Sequence, residues 1–239
     1  VGLQNGQTIH FYPTNKIRLN VDKEAIIKNK VVNPKYNDSI VPYMDIDIKG
    51  SALYKNRLMM LDILANNNWK RPIYFSGGAF DDEDYLWLKD YLQLDGMVYK
   101  LVPIKNTPSK DGGPMDMGQI DADKMYDIVM KWDWGNSNGN IYHDPETRRN
   151  SITYRTNLSR LMNQLIAEGK IDKAKNIINL AITKMPLDKF GYYSLVEPFA
   201  GGYYKVGETA KAQDLLNKLV NKYKEELNYY ATLTPGDQT

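Results

Sequence analysis

The amino-acid sequence predicts an α/β or α+β N-terminal half with a small mixed sheet, followed by an all-α half of helical hairpins. Three observations predict it. Apolar and polar residues alternate with a period of two in short runs of the first hundred residues. The stretch Leu58 to Ser76 (LMMLDILANNNWKRPIYFS) reads as a helix running into a buried strand. From about Arg148 the periodicity is helical and stays so. We place the boundary between Lys131 and Arg149, with an α/β domain over 1–140 and a helical domain over 141–239.

Residues 8 to 21 suggest two short strands broken at Pro13-Thr14-Asn15, the second with Ile17, Leu19 and Val21 alternating against Arg18 and Asn20. Asp22-Lys23-Glu24 starts a helical turn through Ile27, and Asn33 to Tyr43 is a loop broken by Pro34 and Pro42. Met44 to Ile48 alternates again, Ile46 and Ile48 against Asp45 and Asp47. The helix at about Tyr54 to Asn66 carries an apolar stripe of Leu58, Leu61, Ile63, Leu64 and Ala65. Asn66, Asn67 and Asn68 stop it, because asparagine competes for backbone bonds and tolerates the left-handed conformation. Pro72 opens the following strand and Gly77-Gly78 end it. Asp81 to Asp84 lead into a helix through Leu88, Asp90 to Leu94 form a short turn, and Met97 to Val102 form a strand closed by Pro103. Residues 105 to 119 are an exposed loop, Asp121 to Trp132 a helix, and Asp133 to Asn140 a second loop.

The helical half repeats itself. LMNQLIAEGKIDKAKNII aligns with FAGGYYKVGETAKAQDLL, which matches Gly169 to Gly207 and Ala174 to Ala212. Leu158, Leu161 and Leu165 share one helix face, Ala174 and Ala181 are small where paired helices approach, and Pro186 closes the unit. This pattern resembles the tetratricopeptide repeat, with a period longer than the usual one of about 34 residues. The second copy is partial, with Leu219 and Lys224 at the expected alanine and proline. Two such hairpins fall short of the roughly three repeats a free-standing solenoid needs, so they are expected to pack on other structure. Helical hairpins of this kind serve as scaffolds and peptide-binding surfaces more than as catalysts.

Composition excludes several chemistries. There are no cysteines, hence no disulfides, thiolate zinc sites or cysteine nucleophiles. Two histidines, His10 and His143, are too few for a histidine-rich metal site. A net charge of +2 makes no case for nucleic acid. The longest apolar runs are far below the roughly 20 residues that span a bilayer. Neither cofactor nor metal is expected. The opening VGLQNGQT lacks a signal-peptide pattern and an initiating Met, and reads as part of something longer.

No catalytic motif stands out, so each candidate is weighed against a structural role. Trp69 beside Arg71 can stack on a sugar or a peptide aromatic; the competing and favoured reading seats Trp69 at the core edge and pairs Arg71 with a carboxylate. Tyr192, Tyr193, Tyr203 and Tyr204 can line a groove for an extended peptide or pack between helices. Asp81, Asp82, Glu83 and Asp84 lack the glycine placement of a calcium loop and read as a solvated helix start. Gly77-Gly78 lacks the spacing and lysine of a phosphate loop. His143, Asp144 and Glu146 read as a loop histidine beside a helix-capping aspartate rather than an acid–base cluster.

Taken together, NNNWKRPIYF, YLWLKDYLQLDGMVYKLVP and the WDWGN…IYHDPETRR segment resemble the C-terminal soluble region of a Bacteroidetes membrane-protein family related to the protein O-mannosyltransferases. The resemblance covers roughly Ile9 to Tyr230. It implies a domain on the extracytoplasmic, periplasmic face of the inner membrane, attached to a multi-spanning transferase half that uses a lipid-linked sugar. The catalytic carboxylate of such enzymes lies in that membrane half, so no catalytic residue carries over to this chain. The implied partners are the chain's own N-terminal transmembrane region and an acceptor protein or peptide. The leading expectation is therefore a non-catalytic domain for acceptor recognition or assembly. The alternatives are a stand-alone periplasmic protein-interaction module of helical-repeat type, and a carbohydrate-active enzyme using carboxylates such as Asp81, Asp84 or Asp144.

Overall fold

A computed structural model describes residues 14–48, 53–76, 88–106 and 117–233. The predicted strand before Pro13, Gly77-Gly78 and the acidic run Asp81 to Asp84 lie outside the described residues. An α/β half precedes an all-α half, as the sequence predicts. The chain divides into two compact units, 1–94 with 98–119, and 95–97 with 120–239.

The first unit holds two small sheets. Strands β1 (Lys16–Asn20) and β2 (Tyr43–Asp47) pair antiparallel, Ile17 opposite Ile46 and Leu19 opposite Met44. Met44 and Ile46 are fully buried, while the opposite face carries Lys16 against Asp47 and Arg18 against Asp45. Opposite charges directly across a strand pair help fix register. Helix α1 (Lys23–Lys28) starts at Asp22, whose carboxylate accepts the Ala25 N–H at 3.0 Å. Residues Pro34–Ser39, expected as loop, form a 3₁₀ helix, because Asn33 caps it and Pro34 presets the first φ angle.

Helix α2 (Lys55–Asn66) and strand β3 (Tyr74–Ser76) exist, but neither is buried as expected. Ile63 is 56% exposed and Met59 63% exposed. Leu58 and Ile63 lie about 140° apart around the helix, too far to share one face. The half-buried stripe is instead Arg57, Met60, Leu61 and Leu64. One core cluster of the unit sits elsewhere, on Ile26, Val31, Val32, Ile40, Val102 and Ile104, with Val21, Tyr36 and Trp69 packed against it.

The expected turn at Asp90–Leu94 is a 3₁₀ turn (Lys89–Tyr91) followed by strand β4 (Leu92–Asp95), buried throughout. It pairs with β5 (Val98–Leu101) through the two-residue loop Gly96-Met97, and β3 joins on the far side in the order β3-β5-β4. Gly96 has φ +75°, the glycine-first geometry that hairpin turns favour. The outer edge of β4 is closed by Gln119, which exchanges backbone bonds with Leu92 and Leu94 at 2.9 and 2.8 Å.

The second unit is helical: α3 (Ala122–Val129), α4 (Pro145–Ala167), α5 (Ile171–Lys184), the short α6 (Leu187–Phe190), α7 (Glu197–Lys205) and α8 (Thr209–Thr232). Helices α4–α5 and α7–α8 form two hairpins. The matched glycines Gly169 and Gly207 both turn with positive φ, +71° and +82°, and the matched alanines Ala174 and Ala212 are both fully buried. Leu158, Leu161 and Leu165 are buried on one face of α4. Arg155, 1% exposed, donates to the carbonyls of Met185, Gly191 and Tyr192 and so holds the segment between α5 and α7.

Candidate functional site

A cleft of the first unit lies beside the C-terminus of α2. Asn67 ends the helix, its N–H reaching Ile63 O at 2.9 Å. Its side chain then closes a loop, donating to Arg71 O at 2.7 Å and accepting from Arg71 N at 3.3 Å. That closure forces Asn68 and Trp69 into the left-handed region, φ +48° and +56°. Asparagine adopts that conformation readily; a bulky side chain does not, at a cost of about 1–3 kcal/mol. Strain at Trp69 is thus imposed by Asn67 and offset by packing of the indole against the core.

The resulting cleft has a volume of about 510 Å³. Trp69, Leu64 and Asn68 border it on one side, and Arg18 and Asn20 of β1 on another. Arg18 is not a bare cation. It chelates Asp45 at 2.7 and 2.9 Å and lies 3.7 Å over the Tyr43 ring. These hydrogen bonds hold the Asp45 carboxyl below the usual carboxylate range and raise the guanidinium. The Asp22 carboxylate is engaged in capping α1. The cleft therefore presents amides, an indole and aliphatic walls, with its charges largely paired.

Of the residues singled out from sequence, Trp69 lines this cleft. Arg71 does not line it; its side chain is exposed and forms no ion pair among the described residues. The tyrosines belong to the second unit. Tyr192 has φ +50° and is 41% exposed, with its carbonyl held by Arg155. Tyr193 meets Tyr223 edge-on, ring centres 6.4 Å apart. Tyr203 is buried, donating to Asn179 at 2.9 Å, whereas Tyr204 points to Gln213 on α8 at 3.3 Å. His143 donates to Ser137 O at 2.7 Å and lies against Phe190, and Asp144 caps α4 through both the N–H and the hydroxyl of Thr147. Among the described residues no group of three acidic or histidine side chains could hold a metal. No described helix is long and apolar enough to cross a membrane.

Sequence reasoning missed Arg18, Asn20 and the bracing role of Asn67. A run of three asparagines before Trp-Lys-Arg-Pro was the available signal for the last.

A family model, TMEM260-associated domain 2, matches residues 1–124. The chain belongs to that family. Every residue lining the cleft falls inside the match, and both helical hairpins fall outside it. The match is consistent with a domain related to TMEM260, which is protein O-mannosyltransferase-like. No curated protein and no solved structure matches the chain.

Proposed function

We propose that this chain is a non-catalytic, extracytoplasmic accessory domain of a polytopic TMEM260-like glycosyltransferase of the Bacteroidetes type, acting in acceptor recognition. It lies on the periplasmic face of the inner membrane, beside its own transmembrane half. The observation that carries the reading is the family match over 1–124, which encloses a cleft built around a strained tryptophan. Strain of this kind clusters at binding sites, where surrounding structure overrides local preference. The cleft's paired charges and lack of a general acid–base pair suit recognition better than bond-making.

A second reading, a stand-alone periplasmic interaction module, is favoured by the two hairpins with equivalent glycine turns and buried alanines, in the manner of tetratricopeptide repeats. The reading frame upstream of Val1 separates the two. Multiple apolar spans there support the transferase domain; a signal peptide a few residues upstream supports the module and overturns the first reading.

The functional test restores a strain lacking the parent gene with the wild-type parent or its Trp69→Ala form. Glycan attachment to native acceptors is expected to fall at least tenfold with Trp69→Ala, at unchanged protein level in the membrane. Unchanged attachment would overturn acceptor recognition by this cleft.

A further inference from the structure

The hydrogen-bond phase of β1 identifies what the cleft takes. Val21 N–H donates to Pro42 O at 3.0 Å and Ile48 N–H to Asn15 O at 2.7 Å. Bonded and non-bonded pairs alternate along an antiparallel ladder. Ile17 and Leu19 therefore bond to β2, while Lys16, Arg18 and Asn20 direct their N–H and C=O groups away from it. The N–H of Lys16 is satisfied by Thr14 Oγ1 at 3.1 Å. The outward backbone groups of Arg18 and Asn20 have no partner among the described residues.

Both residues line the cleft. Residues 18 to 22 line it consecutively. A strand showing one face to a cavity lines it with alternate residues, since side chains point to opposite faces. A consecutive run is what a strand edge produces. Two other outer strands of this unit have partners on their outward backbone groups: the Asp45 N–H of β2 donates to Tyr91 Oη at 3.1 Å, and Gln119 covers β4. A long exposed edge invites pairing with another chain, and here it borders a volume large enough for a ligand rather than open surface.

We propose that the cleft binds an extended peptide segment of a partner protein by strand addition to β1. The peptide's main chain pairs with Arg18 and Asn20, and one uncharged apolar side chain enters beside Trp69 and Leu64. A flanking carboxylate that projects out of the cleft meets Arg71, which lies outside it, is exposed, forms no ion pair among the described residues and is tied through its backbone to the cleft residue Asn67. Main-chain pairing supplies affinity and the pocket supplies selectivity, as in other sheet-edge recognition. This rests on the acceptor-recognition reading and specifies the form in which the acceptor is held.

The test pans a phage-displayed random decapeptide library on the 239-residue chain and measures the enriched peptide, made synthetically, by calorimetry. Asn20→Pro removes the outward donor at a position where the inward ladder needs none, whereas Asn20→Ala removes only the side chain. The proposal expects enrichment of an apolar residue flanked by Asp or Glu, at least tenfold weaker binding with Asn20→Pro, and less than a threefold change with Asn20→Ala. Amide exchange of Arg18 and Asn20 in the wild-type chain slows on binding, a readout that does not depend on the proline variant folding. Equal losses in the two variants, unchanged exchange at both amides, no enriched peptide, or Trp69 fluorescence answering to a sugar panel and not to peptides would each overturn it. In the restored strain, glycan attachment lost with Trp69→Ala but kept with Asn20→Pro overturns strand addition alone; attachment indifferent to both overturns the acceptor reading as well.

Discussion

Replacing Arg155 with Met tests whether a buried guanidinium organises the second unit. Arg155 is 1% exposed and meets no carboxylate among the described residues; it is satisfied by the carbonyls of Met185, Gly191 and Tyr192. Burial lowers its pKa to about 10, still far above neutral pH, so it is a cation held by three dipoles. Methionine keeps most of the aliphatic stem and orphans three acceptors. At about 2 kcal/mol for each, the loss is about 6 kcal/mol. Relief of the buried charge returns about 3 kcal/mol, taken from the drop in pKa. The net destabilisation is about 3 kcal/mol, or about 6–12 °C in Tm for a chain of this size. Calorimetry measures it, and amide exchange locates it: Leu195 and Val196, whose N–H groups bond to Tyr192 and Tyr193, are expected to lose protection first. A Tm drop smaller than about 2 °C, or exchange unchanged at those two amides, would refute the clamp.

Three further outcomes follow from the geometry. Gly202→Ala places a Cβ 2.3 Å from Met162 Sδ, whereas Gly207→Ala meets nothing but has φ +82°; chemical denaturation is expected to rank Gly202→Ala as the worse, at about 2–3 kcal/mol against about 1–2 kcal/mol. Asp123, hydrogen-bonded to Lys170 and Lys173, has its carboxyl held well below the usual range, so its stabilisation is present above about pH 4 and is lost as pH falls further; Asp123→Asn should flatten the acid limb of the stability–pH curve. The Tyr223 hydroxyl donates to Glu197 at 2.5 Å and is pushed up to about 12, so its contribution holds below about pH 10 and fades above; absorbance titration at alkaline pH should show a late-titrating fraction, to which buried Tyr203 also belongs, that shrinks by one tyrosine in Glu197→Gln.

Local rules made much of the fold legible. Alternation found β1 and β2, a β-prone run closed by Pro103 found β5, Asp22 and Asp144 announced helix starts, and the paired glycines and alanines located both hairpins. Strand β4 was missed: Leu92-Gln93-Leu94-Asp95 alternates over four residues only, and all four are buried, polar and apolar alike. The exposure of α2 was not legible either, since a string of Leu, Met and Ile fixes hydrophobicity without fixing which face finds a partner. At the cleft, Trp69 was visible as a residue but its conformation was not. That depends on the Asn67 side chain reaching four residues ahead to Arg71. Edge status is likewise a property of a sheet, so β1 could be recognised as a strand without any sign that the outward backbone groups of Arg18 and Asn20 would lack partners among the described residues.

Three of those failures fall together in space, and that carries a consequence. Helix α2, the left-handed Asn68-Trp69 pair and the open edge of β1 all border one cleft in the first unit. In a domain shaped only by stability, a residue as large as Trp69 would settle in a cheaper conformation and an unpaired edge would be covered, as β4 is by Gln119. Departures of this kind persist where another requirement holds them. A glycine at position 69 would adopt φ +56° without strain, and a proline at an outward position of β1 would close the edge. The sequence instead keeps an indole at the strained position and asparagine at the open one. Both choices lower stability within the folded chain, and both are what a site for an incoming extended segment requires.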